Sequence, residues 1–423
     1  MRLASRAARR RRAALLGAAL AALVAGLATG ARGGHGGPQP ASAQVDAAQA
    51  PASTRAGAPP PVDARADATP PPAGAQRTPA NAPADTPPPA SATPTATPTP
   101  AVDRLSLKRQ VGELVVLRFD GTSAPDYVRD ALRRGWAAGA ILFRDNVRSP
   151  PQLRALTRQL RAAGTDGDAP PIVCTDQEGG AIRNVAWAPP AEPQSAQTPG
   201  ADARAAGAAL RALGVNVALA PVADVPSVAG AALGGRQFSR APARASRAVA
   251  AAVRGWRAAG VAPTAKHFPG LGGATINTDF GAVTIGGGAP TAGDLAPFKA
   301  AIAAGVPIVM VSHAVYPALD AHRVASQSAP IVQGLLRGTL GFRGVVMTDS
   351  IEAKADGATG SVEQIALRSI AAGDDVVLTT GAGSWLRVYR ALLRRARSSR
   401  AFRTRVRESA ARVLALRQAL RQR

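Results

Sequence analysis

Cysteine, lysine, histidine and aromatic residues are all scarce in this chain of 423 residues, and each shortage removes a class of function. The single cysteine, Cys174, rules out an intrachain disulfide and any cysteine-built metal cluster. It lies in an apolar run, where a buried structural thiol is the expected state. Of the four histidines only His267, His313 and His322 fall in the structured part of the chain, and none forms a His-x-x-x-His pair. No metal and no cofactor are therefore expected. Lysine occurs 4 times against 47 arginines, a skew that reflects GC-rich coding as much as selection for charge.

The formal net charge of +24 invites a nucleic-acid reading, but its distribution argues against one. Between Arg387 and Arg423 stand 13 arginines and a single glutamate, about half of the whole excess, with few aromatic side chains to stack on bases. These arginines read as the solvated face of terminal helices, open to attraction by anionic wall polymers or lipid headgroups.

Residues 1–31 have the layout of a signal peptide or N-terminal membrane anchor: Arg2, Arg6 and Arg9–Arg12, followed by the unbroken apolar run Ala13–Ala28. The expected location is thus outside the cytoplasm: periplasm, cell envelope or medium. Residues 32–103 are rich in Pro, Ala and Thr, with runs such as Pro59-Pro60-Pro61, and keep no apolar periodicity, as in a disordered linker. Residues 104–423 form the remaining domain, with a monomer as the expected state.

From Leu105 onward, short apolar segments alternate with amphipathic ones. The strand candidates are Leu114–Phe119, Ala140–Phe143, Pro171–Thr175, Val215–Ala220, Val261–Lys266, Val306–Ser312, Gly344–Thr348 and Asp375–Thr379. Helical stretches include Ala124–Ala138, Gln152–Ala163, Ala241–Ala259, Leu295–Ala304 and Val362–Ala372. Eight such strands over about 320 residues predict an α/β fold, a (β/α)8 barrel. An open doubly wound sheet is the alternative, disfavoured because no Gly-x-Gly-x-x-Gly follows the first strand and no P-loop is present.

In such a barrel the C-terminal ends of the strands converge on one mouth. Here they carry Asp176-Gln177-Glu178, Asp224, Lys266-His267, Ser312-His313 and Asp349-Ser350. An aspartate after a strand is often only a helix cap. Five polar strand ends with pairable charges exceed what capping requires. A serine-hydrolase elbow, Gly-x-Ser-x-Gly, is absent. Carboxylate acid chemistry, with Lys and His holding hydroxyls, fits a carbohydrate substrate.

Asp176-Gln177-Glu178-Gly179-Gly180, Ala220-Pro221-Val222-Ala223-Asp224, Lys266-His267-Phe268-Pro269-Gly270, Tyr316-Pro317-Ala318-Leu319-Asp320 and Gly341-Phe342-Arg343-Gly344-Val345-Val346-Met347-Thr348-Asp349 occur in that order. Together they resemble the barrel domain of glycoside hydrolase family 3, in its single-domain bacterial β-N-acetylglucosaminidase branch. The resemblance implies a retaining β-glycosidase, with Asp349 as nucleophile and Asp176, Arg236, Lys266 and His267 binding the sugar. For Arg236 a purely structural ion pair stands as an equal alternative.

The match breaks at two places. The branch carries an Asp-Ser-His triplet whose histidine is the acid/base; this chain has Asn277-Thr278-Asp279. The branch arginine expected at 184 is Asn184, with Arg183 one place earlier. Three readings stay open. Asp279 is the acid/base, its pKa raised by burial and by Asp349, with Asn277 as a hydrogen-bond donor to it. Alternatively the barrel binds glycans without turnover, or Glu178 or His313 supplies the proton. A carboxylate acid/base would also repel phosphate, favouring hydrolysis over phosphorolysis. The sugar itself is open: a β-glucosidase or β-xylosidase of the same fold is the alternative to N-acetylglucosamine.

Overall fold

The computed structural model describes residues 100–164 and 169–421. The expected signal segment and nearly all of the linker lie outside the described residues. The last linker positions do not: Ala101–Arg104 form a 3-10 turn that buries Val102, so the ordered domain begins a few residues before the composition changes.

Eight parallel strands close on themselves: β1 (Val115–Arg118), β2 (Gly139–Ile141), β3 (Ile172–Thr175), β4 (Val217–Ala218), β5 (Ala262–Phe268), β6 (Ile308–Val311), β7 (Val345–Ser350) and β8 (Val376–Leu378). Closure is made by β1, which pairs Val116 with Gly139 of β2 on one side and with Leu378 of β8 on the other. An open sheet is thereby excluded, and the fold is a (β/α)8 barrel. Each predicted strand is found, most trimmed at their ends.

Strand residues alternate between two apolar layers, as the period of two demands. Val116, Ile141, Ile172, Cys174, Ile308, Met310, Val345 and Met347 fill the barrel interior. Their neighbours Val115, Leu117, Val173, Val309, Val311 and Val346 face outward into the layer shared with the helices. Cys174 is fully buried there, and burial pushes its thiol pKa up, as befits an inert packing residue. The helices around the barrel include α1 (Leu107–Gly112), α2 (Asp126–Arg133), α3 (Pro150–Gly164), α4 (Pro199–Ala212), α5 (Pro242–Ala258), α6 (Ala292–Ala303), α7 (Pro330–Thr339, wound as a π-helix) and α8 (Val362–Ala372). Two of them start on reciprocal caps, Thr291 with Asp294 and Ser361 with Gln364.

Two more helices end the domain, α9 (Ser384–Ser398) and α10 (Arg400–Arg421). The second runs beneath the N-terminal ends of the strands and pushes Val413, Leu416 and Leu420 into the interior cluster. It forms the floor of the barrel. Its arginines are not all solvated, which corrects the sequence expectation. Arg405 and Arg412 reach Asp375 at 2.6 and 3.0 Å, joined by Arg337 at 2.6 Å. Arg417 pairs with Glu113 and donates to the carbonyls of Ala169 and Pro170 at 2.9 and 3.0 Å. No described helix is long and apolar enough to cross a membrane.

Candidate active site

At the other end, the mouth, strand ends surround a cleft of about 610 Å³, within the roughly 300–1,000 Å³ range of small-molecule sites. Asp176, Arg236, Lys266, His267, Asp279 and Asp349 all line it, whereas the alternative proton donors Glu178 and His313 do not.

Beyond β3 the chain turns back in a short hairpin, Gln177–Gly179 with Ile182–Arg183. The Gln177 amide staples the following loop, donating to the carbonyls of Val185, Ala188 and Pro189 at 3.0 to 3.2 Å. This geometry turns Glu178 inward, where its side chain is 1% exposed. Arg236 donates to it from Nε and Nη2, both at 2.8 Å, and Lys266 Nζ lies 2.7 Å away. Burial alone would raise the Glu178 pKa; Lys266 and Arg236 overcome it and hold the carboxyl down to about 2. Glu178 is thus a permanent anion and no proton donor. Arg236 is anchored by this two-point bond while lining the cleft.

Lys266 Nζ also bonds Asp176 at 2.6 Å. Desolvation would lower the lysine pKa, but the two carboxylates more than offset it, and the ammonium stays charged. The buried cation foreseen at the end of β5 is therefore paired twice. His267, next in the strand, gives Nδ1 to Asp224 at 2.8 Å and turns Nε2 toward Asp349, 3.9 Å away. Asp224 is 1% exposed and also accepts the Leu271 backbone N–H at 2.7 Å, so it sets the imidazole's orientation. Sequence reading placed Asp224 at a strand end but gave it no task; its signal was a carboxylate inside an apolar run. Gly272 fits because a Cβ there would lie 1.6 Å from the Val225 carbonyl.

Asp349 sits on β7. Its Oδ1 accepts the Ser350 N–H at 2.7 Å. Burial would raise its pKa, yet His267, His313 and Lys266 together pull it below the ordinary carboxylate value. His313 is fully buried: Nδ1 meets Ser326 Oγ at 2.8 Å, Nε2 meets the Ser350 carbonyl at 3.0 Å, and Asp356 lies 3.4 Å off. With both nitrogens engaged inside the protein, His313 braces β7 and does not donate to a substrate.

The Asn277-Thr278-Asp279 loop is held by backbone bonds to the segment after β7: Ala355 N–H to the Thr278 carbonyl at 3.1 Å, and Lys354 N–H to that of Asp279 at 3.4 Å. Asn277 Oδ1 accepts the Asp279 N–H at 3.0 Å. Asp279 is exposed at the cleft, not buried as the sequence reading expected; partial desolvation by the cleft walls and the negative Asp349 still raise its pKa, against smaller opposing effects of His267, Arg236 and Asn277. One cleft thus carries two carboxyls moved in opposite directions, Asp349 down and Asp279 up. That is the division a nucleophile and a general acid require.

Several cleft residues carried no sequence signal: Arg118, Phe143 and Arg144 from the ends of β1 and β2, Thr380 after β8, and Phe280 beside Asp279. Asn184 lines the cleft and donates to Thr175 Oγ1 at 3.2 Å; Arg183 is not among the lining residues. Among the described residues no group of His, Cys, Asp or Glu is arranged to hold a metal ion.

The family model for the N-terminal domain of glycosyl hydrolase family 3 matches residues 106–416. A β-hexosaminidase of Stenotrophomonas maltophilia is 35% identical over 281 residues, spanning 63% of this chain and 82% of the relative. One from Xanthomonas axonopodis is 36% identical over 283 residues, spanning 63% and 83%. The crystal structure of a β-N-acetylhexosaminidase from Beutenbergia cavernae is similar at a TM-score of 0.70 and 34% identity, covering 74% of this chain and 98% of that one. A family 3 β-N-acetylglucosaminidase from a Paenibacillus species gives 0.71 and 33%, covering 75% and 63%.

Proposed function

This chain belongs to glycosyl hydrolase family 3, and on that premise we propose that it is a retaining β-glycosidase releasing terminal β-linked N-acetylglucosamine from cell-wall fragments or related glycans. The observation that carries the reading is geometric: Asp349 and Asp279 line one cleft together with Asp176, Lys266 and His267, whose Nε2 lies 3.9 Å from Asp349, and the opposite pKa directions of the two carboxyls agree with it. In it, the ionised Asp349 attacks the anomeric carbon while Asp279 protonates the departing oxygen. Asp279 then takes a proton from the water that cleaves the glycosyl-enzyme. Lys266, Asp176 and His267 hold ring hydroxyls, while Asp224 orients His267 and Glu178 keeps Lys266 and Arg236 charged and in place. A carboxyl in place of the branch's histidine changes the proton carrier, not the reaction.

The basic segment and apolar run at residues 1–28 support export, and an envelope glycan would be the substrate met there. The test is hydrolysis of 4-nitrophenyl β-N-acetylglucosaminide by the full chain beside Asp349→Ala and Asp279→Ala. Turnover is expected in the parent and loss by orders of magnitude in both variants. Azide should restore Asp279→Ala with retained configuration and Asp349→Ala with inverted configuration. A parent silent on this substrate and on the glucoside and xyloside, yet still binding glycan, would make the barrel a lectin-like binder.

A further inference from the structure

The floor carries a charge pattern that catalysis leaves unexplained. Arg394, Arg395, Arg397, Arg400 and Arg403 fall within ten residues at the junction of α9 and α10, all of them exposed. None forms an ion pair among the described residues, although their neighbours Arg387 and Arg407 do, with Glu363 and Asp103. A helix C-terminus favours cations through its dipole, which accounts for those ending α9. It does not account for Arg400 and Arg403. They occupy the first turn of α10, which holds no acidic residue and where the dipole disfavours positive charge. Arg403 offsets this only through the carbonyls of Ala396 and Arg397, at 3.0 Å each.

Two further observations fall on the same end of the barrel. An apolar groove of about 420 Å³ lies between α10 and the floor ends of β5, β6 and β7, lined by Ala262, Pro307, Val345, Ala415, Leu416 and Leu420. Arg343, exposed and also without an ion pair among the described residues, stands on its wall. The chain also joins the domain here: Asp103, at its start, accepts both arms of the Arg407 guanidinium at 2.5 and 2.6 Å. The residues before it include the apolar run Ala13–Ala28.

We propose that the floor is a docking face for an anionic lipid bilayer. Uncompensated guanidinium groups bind headgroup phosphates, and the adjoining apolar groove accepts the boundary of the acyl layer. A soluble polyanion would satisfy the arginines but leave the groove unused. The described chain begins at this face, where Asp103 pairs with Arg407.

The test uses the full chain and vesicles of phosphatidylcholine alone or mixed equally with phosphatidylglycerol. The N-terminal apolar run contributes to binding on both, so the readout is the ratio of anionic to neutral partitioning. A variant combining Arg394→Gln, Arg395→Gln, Arg397→Gln, Arg400→Gln and Arg403→Gln should lower that ratio about tenfold or more. Arg400→Gln with Arg403→Gln should lower it in part, and Ala415→Asp should weaken anionic binding without touching those arginines. Raised salt should mimic the loss, and hydrolysis of a soluble aryl glycoside should stay unchanged throughout. An unchanged ratio overturns the proposal. So does a loss confined to binding of polyphosphate in solution, which would assign the face to an anionic wall polymer.

Discussion

The two ends of the barrel both bury carboxylates among cations, yet only one end is built for chemistry. On the floor, Asp375 is bonded by Arg337, Arg405 and Arg412 and also accepts Ser409 Oγ and the Val346 N–H, each at 3.0 Å. At the mouth, Asp349 has one backbone donor at 2.7 Å and an imidazole 3.9 Å away, and one side of it opens to the cleft. The density of ion pairs therefore does not mark the site. What marks it is an anion whose charge is stabilised from a distance while its oxygens are left short of partners. The neighbouring pair repeats the contrast. Asp374 on the floor is fully buried with neither oxygen bonded, and desolvation with the adjacent Asp375 keeps it protonated. Asp279 is also shifted upward, but it faces the cleft, where its proton can be delivered.

The largest expected effect separates the two ends outright. Asp349→Asn should cost roughly 10⁴-fold in kcat with little change in melting temperature. Asp375→Asn should do the reverse, leaving the buried Arg337 and the partly buried Arg405 and Arg412 short of their counter-ion and destabilising the fold by about 3–5 kcal/mol, with normal kcat per folded molecule. Turnover assays paired with denaturant melts decide it. Loss of kcat in folded Asp375→Asn would break the comparison.

A smaller effect concerns the proton. Activity requires Asp279 protonated and Asp349 ionised. It should therefore fall as pH rises through the raised Asp279 pKa and as pH drops through the lowered Asp349 pKa. Asp279→Asn should remove the alkaline limb and cost about 10²–10⁴-fold on substrates with poor leaving groups; on activated ones kcat/KM should fall less than kcat, because hydrolysis of the glycosyl-enzyme still lacks its base. An alkaline limb that persists in Asp279→Asn would move the proton to another residue.

The smallest effect is a gain. Asp374 keeps a proton in the folded state that the unfolded chain releases above its ordinary value of 3.8, so it subtracts stability as pH rises from there. Asp374→Asn should raise stability at neutral pH and flatten its pH dependence. Chemical denaturation at two pH values would show it.

Much of this was legible in the residues. Runs such as Ile308–Val311 are too short and too uniformly apolar for surface helices, and eight of them at regular spacing specify the barrel. Asp176, Lys266-His267 and Asp349 announced themselves as charges where an apolar strand ends. The partners did not. Arg236 and Glu178 are 58 residues apart, and Arg417 and Glu113 are 304 apart, so no local pattern joins them. For that reason the terminal arginines read as uniformly solvated, when three of them turn inward. It is also why Glu178 stood as a candidate acid, when two cations hold it ionised. Asp224 behaves likewise: its role becomes visible only once β4 and β5 lie side by side.

The floor helix also sets an order in time. Val413, Leu416 and Leu420 are made after all eight strands, so in a nascent chain the strands emerge before the helix that seals the inner layer from water. Until residues 413–420 emerge, Val116, Ile172, Val345 and their neighbours stay hydrated from below. The inner layer is closed from below only once residues 413–420 are in place.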